Sequence, residues 1–508
     1  MYTKSIIWRY VVATAICSAV LMAFYACEKT DNGIDNPIDE PTPKTVEVTK
    51  ITITPPASVD LTAGGGTMAL AVTVEPANAT DKTVTWSSSD NTIATVSATG
   101  VITGLKEGTV TITATSKDGK ITSQFTVTVK PDPKLVPIEL KSPISVNTTL
   151  KDLGLPVDYI YTGNNLLQVS ENATLTIEPG VTIQFTNNGR SGGIDIKSGS
   201  TIKAVGTASN RIQFIGAYEA AGTWAGITIT SNTDNQFVYC DFLNMGNASR
   251  TDYGGIQLSY ATKVGFSHCK FTNGMGTGVR ASSYGGVCQF SAFDNNTFEG
   301  YDNFPPMDLT SLTLLEKFDM TSDFTKNAKK YIEVRPEITK DVTLNQTTVP
   351  YFFNSYINDL SNTLTINEGV TIYVSGDFIT TGGGGADQSG RLMINGTATK
   401  KVKITRLPNT SSYWGRVAFW GLKGSVVNNC IFEYGGHNSG VSSAILCINR
   451  YTDLTLNNVE INNADAYGVW ILNCGYKLTH KNVTFSNCGL GNVYDYCANP
   501  TVVRNHFP

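Results

Sequence analysis

Short segments of alternating apolar and polar residues dominate the chain from residue 46 onward. Between residues 46 and 130 they read ITIT, MALAVTV, TVTWSSS, GVITGL, GTVTITATS and QFTVTV, separated by Gly, Pro, Asn or Asp. Alternation with a period of two is typical of half-buried β-strands, and this density of turn residues is typical of a β-sandwich. The pattern therefore predicts an N-terminal sandwich with an apolar core around Trp86, Leu70 and Val72.

In the rest of the chain the pattern of apolar residues occurs twice. LTIEPGVTI at Leu175 returns 189 residues later as LTINEGVTI at Leu364, and GTWAGI around Trp224 returns as SYWGRV around Trp414. The separation stays at 189 or 190 residues over about a hundred positions, so the two stretches align almost without gaps. Self-similarity of this kind is the signature of a repeat architecture.

A shorter period lies inside each copy. Phe242, Phe271 and Phe298 follow one another at intervals of 29 and 27 residues, and Gly- and Asn-rich turns separate the apolar runs between them. One period per coil of a solenoid explains this spacing, with parallel strands stacked about 4.8 Å apart. We expect roughly 14 coils in a rod on the order of 65 Å long. A pair of sandwiches or a propeller is the alternative, but a propeller needs more than two similar copies.

Two family resemblances follow from these segments. The elements P-x-x-A-T, V-x-W-x-S-S and G-x-V-x-G-L resemble the bacterial Ig-like domain, group 2, which implies a surface location and the role of a spacer. The N-x-x-F, G-V and W-x-G phrases resemble the right-handed parallel β-helix of the pectin-lyase-like superfamily. We therefore expect an all-β protein, an Ig-like β-sandwich followed by a right-handed parallel β-helix solenoid. Its expected parts are an export signal, a tether, the Ig-like domain, a first half, an irregular connecting coil and a second half: 1–27, 28–45, 46–130, 138–306, 307–336 and 337–508.

The N-terminal segment has the pattern of an export signal. Lys4 and Arg9 precede the apolar run VVATAICSAVLMAFYA, which ends at Cys27. FYAC resembles a bacterial lipobox, which implies that Cys27 carries lipid and attaches the protein to a membrane. An ordinary cleaved signal with a chance Cys and a transmembrane anchor are the alternatives. The acidic, Pro-containing segment that follows predicts a flexible tether and resembles the surface-export signal of lipoproteins in the Bacteroidota, so we expect a cell-surface position on the outer membrane.

Composition excludes several classes of function. Charged residues are 16% of the chain and the net charge is −4, so no basic field is present and nucleic acid is not an expected partner. Eight Cys in the solenoid recur at equivalent strand positions, which favours a buried ladder over a disulfide framework. Because no C-x-x-C pair or nucleophile phrase occurs, we predict no metal, cofactor or catalytic residue. The paired Asn residues are expected to form ladders at the turns.

The polysaccharide-cleaving machinery of the superfamily is absent as a motif. No D-D pair or R-I-K phrase occurs, and Arg335-Pro336 continues as Glu-Ile-Thr, unlike the R-x-P-x-x-R context of pectate lyases. Scattered carboxylates remain that could pair across coils, since two of them suffice for glycoside hydrolysis: Asp195, Glu219, Asp241, Asp294 and Glu433.

Aromatic residues of the second copy are the candidate glycan-binding residues. Trp414 has a counterpart in Trp224, which favours a structural role, whereas Thr223, Thr230 and Arg280 stand where the second copy has other aromatics. Aromatic faces stack on sugar rings, so the candidates are Tyr413, Trp414, Trp420 and Trp470. The predicted function is non-catalytic recognition of a polysaccharide or host glycan by the solenoid flank. A lyase or hydrolase, which would bring carboxylates with Arg or Lys into one cleft, and a purely structural display protein are the alternatives.

Overall fold

The computed structural model describes residues 44–57, 61–132, 136–186, 192–246, 254–282, 286–358, 360–380, 390–437, 443–498 and 502–507. The export signal, Cys27 and nearly all of the predicted tether lie outside them. The described part is all-β, an Ig-like domain followed by a β-solenoid of about 12 turns. The expectation of 14 coils is too high because some coils are long: hydrogen-bonded Ile202 and Asn235, in successive coils, are 33 residues apart. No helix among these residues is long and apolar enough to cross a membrane.

The Ig-like domain contains nine short strands around one apolar core. They are β1 (Lys50–Thr54), β2 (Leu61–Thr62), β3 (Thr67–Ala69), β4 (Ala71–Glu75), β5 (Val84–Ser88), β6 (Ala94–Val96), β7 (Val101–Gly104), β8 (Gly108–Ser116) and β9 (Thr122–Lys130). The main sheet has the order β2-β9-β8-β5, and β3-β7-β6 forms a second sheet. Leu70 is buried in the core and Trp86 packs against it, as predicted for these two residues.

The first copy of the solenoid supplies short parallel strands, three to a coil. They are β10 (Ile138–Glu139), β11 (Thr148–Leu150), β12 (Tyr159–Tyr161), β13 (Leu167–Val169), β14 (Thr174–Ile177), β15 (Thr182–Phe185), β16 (Gly193–Ile196), β17 (Thr201–Val205), β18 (Ile212–Gly216), β19 (Gly226–Ile229), β20 (Asp234–Val238), β21 (Cys240–Leu243), β22 (Ile256–Leu258), β23 (Lys263–Ser267), β24 (Lys270–Thr272), β25 (Val279–Ala281), β26 (Gln289–Asp294) and β27 (Thr297–Glu299).

The junction between the copies contains β28 (Met307–Ser311), a 3₁₀ helix (Leu312–Lys317) and β29 (Asp323–Lys326). The second copy supplies β30 (Ile332–Glu337), β31 (Val342–Leu344), β32 (Tyr351–Phe353), β33 (Thr363–Asn367), β34 (Thr371–Val374), β35 (Arg391–Asn395), β36 (Val402–Thr405), β37 (Val417–Phe419), β38 (Lys423–Glu433), β39 (Ala444–Ile448), β40 (Asp453–Asn462), β41 (Tyr467–Ile471), β42 (Lys477–Ser486), β43 (Gly491–Asp495) and β44 (Val502–Arg504).

Strands of successive coils stack into sheets that run along the axis of the solenoid. The first sheet is β11-β14-β17-β20-β23-β26 and the second is β10-β12-β15-β18-β21-β24-β27-β29. The third begins β13-β16-β19-β22-β25-β28 and continues through β30, β32, β34 and β36 to β38. The fourth is β37-β39-β41-β43-β44 and occurs only in the second copy.

A single left-handed residue bends the chain between the first two sheets in three successive coils of the first copy. Tyr239, His268 and Asn295 have φ of 50°, 57° and 52°, and their second-copy counterparts are all Asn. Asn tolerates this conformation, and its amide bonds to the next coil, as between Asn482 and Asn458 at 2.9 Å. The Phe ladder is confirmed in the core, where Phe271 stacks on a ring of each neighbouring coil at 4.9 and 4.2 Å.

Strands of the second copy do not lie in the same sheets as their first-copy counterparts, because the second copy is rotated about the solenoid axis by one face of the coil. β30 repeats the phrase of β10, which lies in the second sheet, yet β30 pairs with β28 of the third sheet. β34 and β36 repeat β15 and β18 in the same way and also extend the third sheet. As a result, β37, β39 and β41, the counterparts of β19, β22 and β25, form the separate fourth sheet.

Candidate functional site

Trp414 is a core residue and does not offer its ring to a ligand. It is 1% exposed, and its indole Nε1 donates a hydrogen bond to the Glu433 carbonyl at 2.7 Å. Trp224 makes the same bond, to the Leu243 carbonyl at 2.7 Å, and is also buried. The prediction that Trp414 binds a glycan is therefore wrong, because its indole fills the same core position as that of Trp224.

Tyr413 lies apart from the other candidates. The Arg406 guanidinium sits over the rings of Tyr413 and Tyr434, 5.5 and 4.1 Å from their centroids. Arg406 and Tyr434 also line a neighbouring cavity of about 370 Å³, together with the ion-paired Lys403 and Glu433. The cation covers one face of each ring, which a sugar could otherwise use, so Tyr413 is a weaker candidate than the two tryptophans described next.

Trp420 and Trp470 share one cavity on the outer side of the fourth sheet. We call this cavity, of about 290 Å³, the tryptophan pocket. Its lining combines two indoles, apolar side chains, a guanidinium and two carboxamides: Thr380, Arg416, Ala418, Phe419, Trp420, Cys447, Asn449, Trp470, Leu472 and Asn473. Two of the three candidate aromatics that the second copy gains over the first thus converge, although 50 residues separate them along the chain.

Strand alternation explains why this face is concave. Val417, Leu446 and Val469 point into the core and are fully buried, so the residues beside them point outward. Ala418 pairs laterally with Cys447, and Cys447 pairs with Trp470. Two small side chains next to a large indole leave a depression, which Trp420, just beyond the end of β37, closes at the edge where the parallel strands end.

The polar groups of the tryptophan pocket lie at its rim. Asn473 Nδ2 donates to Asn449 Oδ1 at 2.7 Å, which fixes both carboxamides, and Arg416 Nε is 3.8 Å from Asp377 Oδ2. Burial raises the pKa of Cys447 to about 12, against the lowering effect of the neighbouring Arg416 guanidinium, so the thiol is neutral and Arg416 is the charged residue of the lining. The Trp470 Nε1 donor is buried and has no hydrogen-bond partner among the described residues. An apolar floor with oriented polar groups at the edge suits a ligand that has both C–H faces and hydroxyls.

The equivalent row of the first copy leads at the junction into a group of charged residues. Arg280, the counterpart of Trp470, pairs laterally with Asp308, and Asp308 pairs with Glu333. Arg280 Nε is 3.3 Å and Arg335 Nη2 is 3.9 Å from Asp308 Oδ2, and Asn354 Nδ2 donates to Glu333 Oε1 at 2.5 Å. We call these five residues the charged cluster.

Both carboxylates of the charged cluster are harder to ionise than in water. Burial raises the pKa of Asp308, against the lowering effect of Arg280 and Arg335. Burial also raises the pKa of Glu333, as does the nearby charge of Asp308, while the Asn354 hydrogen bond lowers it. Asp308 Oδ1 and Asn354 Oδ1 are buried acceptors without a partner in the described part of the chain. Two acids with raised pKa values and open acceptors are a recurrent feature of functional sites.

The carboxylates singled out in the sequence do not converge on one site. Asp241 pairs with Arg211 at 2.6 Å, Glu433 with Lys403 at 2.7 Å and Asp195 with Lys197 at 2.6 Å. Asp294 accepts a hydrogen bond from Ser267, and Glu219 is exposed. The sequence analysis missed Asp308 and Glu333. The signal that could have found them is an acidic residue at the central, outward-facing position of two strands, MDL and IEV, that lie one coil apart.

The comparisons agree with this architecture. Residues 47–130 match the bacterial Ig-like domain (group 2), and residues 147–261 match the pectate-lyase-like beta helix domain. The chain therefore combines an Ig-like domain of the group 2 type with a solenoid whose first copy resembles the β-helix of pectate lyases.

Curated relatives match only a small part of the chain. An alpha-L-arabinofuranosidase of Bifidobacterium longum subsp. longum is 52% identical over 62 residues, 12% of this chain and 6% of the relative. A 3-O-alpha-D-galactosyl-alpha-L-arabinofuranosidase of the same subspecies is 47% identical over 74 residues, 14% of this chain and 6% of the relative. An Ig-like virion protein of Serratia phage KSP90 is 47% identical over 85 residues, 16% of this chain and 32% of the relative. The stretch shared with the two arabinofuranosidases lies in the Ig-like region. This chain therefore matches only a small fraction of the length of either enzyme.

Proposed function

We propose that this protein recognises a glycan through the tryptophan pocket, with the Ig-like domain as a spacer. The observation that carries the proposal is the convergence of Trp420 and Trp470 on one cavity, next to the neutral Cys447 thiol. Indole faces pack on the C–H faces of a sugar, and the carboxamides of Asn449 and Asn473 supply donors and acceptors for its hydroxyls. The arabinofuranosidase relatives, which share only the Ig-like stretch, add that such spacers accompany carbohydrate-active proteins.

A glycan array probed with the purified chain tests this proposal. We expect selective binding, and at least a tenfold weaker affinity for Trp470→Ala and for Trp420→Ala, because each change removes one stacking face. Gln257→Ala is the matched control, since it truncates the first-copy counterpart of the pocket residue Cys447 and leaves the pocket unchanged. Binding that survives both tryptophan changes would place recognition elsewhere, and an array without any binding would favour a purely structural display protein.

A lipid-anchored position on the cell surface is part of the same proposal. It rests on the basic start, the apolar run and FYAC ending at Cys27, and on the acidic tether that follows. We expect the full chain to incorporate labelled fatty acid and to be cleaved by protease added to intact cells. Cys27→Ser is expected to abolish incorporation; labelling that persists in this variant would refute lipidation at Cys27.

The charged cluster favours a second candidate function, cleavage of a polysaccharide. Two carboxylates on neighbouring coils, both with raised pKa and flanked by two arginines, provide the acid and base groups that such chemistry requires. A depolymerisation assay on the glycans that bind separates the two functions. Product release that is lost in Glu333→Gln and Asp308→Asn, but retained in Trp470→Ala, would make the protein an enzyme; no release would leave recognition alone.

A further inference from the structure

Two cysteines lie together at the edge of the fourth sheet, beside the tryptophan pocket. Cys474 follows β41 and is exposed, and Cys497 follows β43 and is partly buried. β41 and β43 are lateral neighbours with Ile471 opposite Asp495, and the ladder runs one residue further because Tyr496 N donates to the Ile471 carbonyl at 3.1 Å. Cys474 therefore leaves the sheet three residues beyond its ladder position and Cys497 two residues beyond, in neighbouring coils.

Their separation suits a covalent bond. Neighbouring parallel strands lie about 4.8 Å apart, and a disulfide needs a Cα separation of about 4.4 to 6.8 Å, which covers a lateral pair offset by one residue. The side chains also meet. Burial raises the pKa of Cys497 to about 12, and the next largest cause is its hydrogen bond with the Cys474 thiol.

The other stacked cysteines of neighbouring coils are of a different kind. Cys240 and Cys269 are fully buried, and each thiol donates to a backbone carbonyl of the core, Cys269 to Phe237 at 3.3 Å and Cys240 to Ala204 at 3.4 Å. They are the small buried residues that the repeat predicts. Within the described part of the chain, Cys474 and Cys497 are the stacked pair that an oxidant can reach from solvent.

We propose that Cys474 and Cys497 form a disulfide that fastens the edge of the tryptophan pocket to the C-terminal cap of the solenoid. The two thiols lose two protons and two electrons, a bond forms between their sulfur atoms, and a disulfide oxidant is reduced to two thiols. Leu472 and Asn473, which line the pocket, directly precede Cys474, and Cys497 lies between β43 and the antiparallel strand β44 that ends the sheet. The bond thus holds the pocket wall against the last coil. Its formation does not depend on the nature of the ligand.

Peptide mapping of the full chain after treatment with oxidised glutathione tests the proposal. Trypsin cuts after Arg450, Lys477, Lys481 and Arg504, so the bond is expected to join peptides 451–477 and 482–504. The second peptide also contains Cys488, so variants assign the bond: Cys488→Ser retains the linked pair, whereas Cys497→Ser and Cys474→Ser lose it. Complete alkylation of Cys474 and Cys497 after oxidation, or a link that disappears in Cys488→Ser, would overturn the proposal.

Thermal melting gives an independent readout. Closing a chain loop restricts the unfolded state, so we expect reductant to lower the melting temperature of the oxidised wild type and of Cys488→Ser. The same reductant is expected to leave the melting temperature of Cys474→Ser unchanged, and we expect this variant to fold because Cys474 is exposed. An equal response of Cys474→Ser and wild type to reductant would show that no such bond stabilises the solenoid.

Discussion

The outward rows of two equivalent sheet regions, one in each copy, have opposite chemistry. In the first copy the row reads Thr228, Gln257 and Arg280 and continues with Asp308 of the junction, and in the second it reads Ala418, Cys447, Trp470 and Tyr494. The inward neighbours barely differ: Ile256 and Leu446, for example, are both fully buried. The repeat thus fixes the residues that build the core and leaves the outward residue of each strand free to vary, because a change there costs little packing. The two copies share a scaffold and differ in their candidate sites.

Removing the shared tryptophan is expected to have the largest effect, and a similar one in both copies. Trp224→Ala and Trp414→Ala each empty a fully buried site and leave a carbonyl of the core without its donor, with an expected loss of about 3–5 kcal/mol of unfolding free energy. Chemical denaturation measures this loss. A cost in only one copy would show that the two positions are not structurally equivalent.

Placing a first-copy residue in the tryptophan pocket is expected to have an intermediate effect. Cys447→Gln introduces the counterpart residue, Gln257, and its longer side chain projects into the cavity of about 290 Å³. We expect glycan affinity to fall at least tenfold, about 1.4 kcal/mol, with little change in melting temperature. The reciprocal change Gln257→Cys serves as the control and is expected to leave binding unchanged. Equal affinity of Cys447→Gln and wild type would exclude the pocket as the binding site.

Neutralising one acid of the charged cluster is expected to have the smallest effect, and one that depends on pH. The raised pKa of Glu333 means that folding favours its protonated form, so the wild type loses stability as pH rises from below the ordinary carboxyl range through the folded value. Gln does not titrate. Glu333→Gln is therefore expected to match wild type near pH 3 and to be more stable at pH 8, by less than about 1 kcal/mol because solvent screens a partly exposed group. Melting temperatures across this range check the sign, and a stability difference that shrinks as pH rises would contradict it.

Much of the fold could be predicted from the sequence because repetition is visible in the chain itself. The Phe ladder follows from the spacing of Phe242, Phe271 and Phe298, and the Asn bonds at the turns follow from the paired Asn residues. The connecting segment was harder to predict from the sequence. Leu312 and Leu315 have helical spacing and lie in a 3₁₀ helix, but strands flank this helix where an irregular coil was expected.

The candidate sites could be predicted only in part. Trp420 and Trp470 were identified because the copies differ there, but their convergence depends on strand register, which one sequence does not reveal. Trp414 stayed among the candidates, although its counterpart Trp224 favoured a structural role, because sequence alone does not separate an inward from an outward tryptophan. Asp308 and Glu333 were missed because they face each other across the junction, where the repeat changes sheets and the alignment of the copies gives no guide.

The shift of the second copy by one face of the solenoid separates the two candidate sites. If β30 had stacked on the second sheet, β37 would have continued the third sheet, and the charged cluster and the tryptophan pocket would lie along one flank within reach of a single extended chain. Instead the two sites belong to separate sheets of the coil. Were both sites to bind glycan, as proposed, a branched or clustered ligand would gain from engaging both, while a straight one would engage only one at a time.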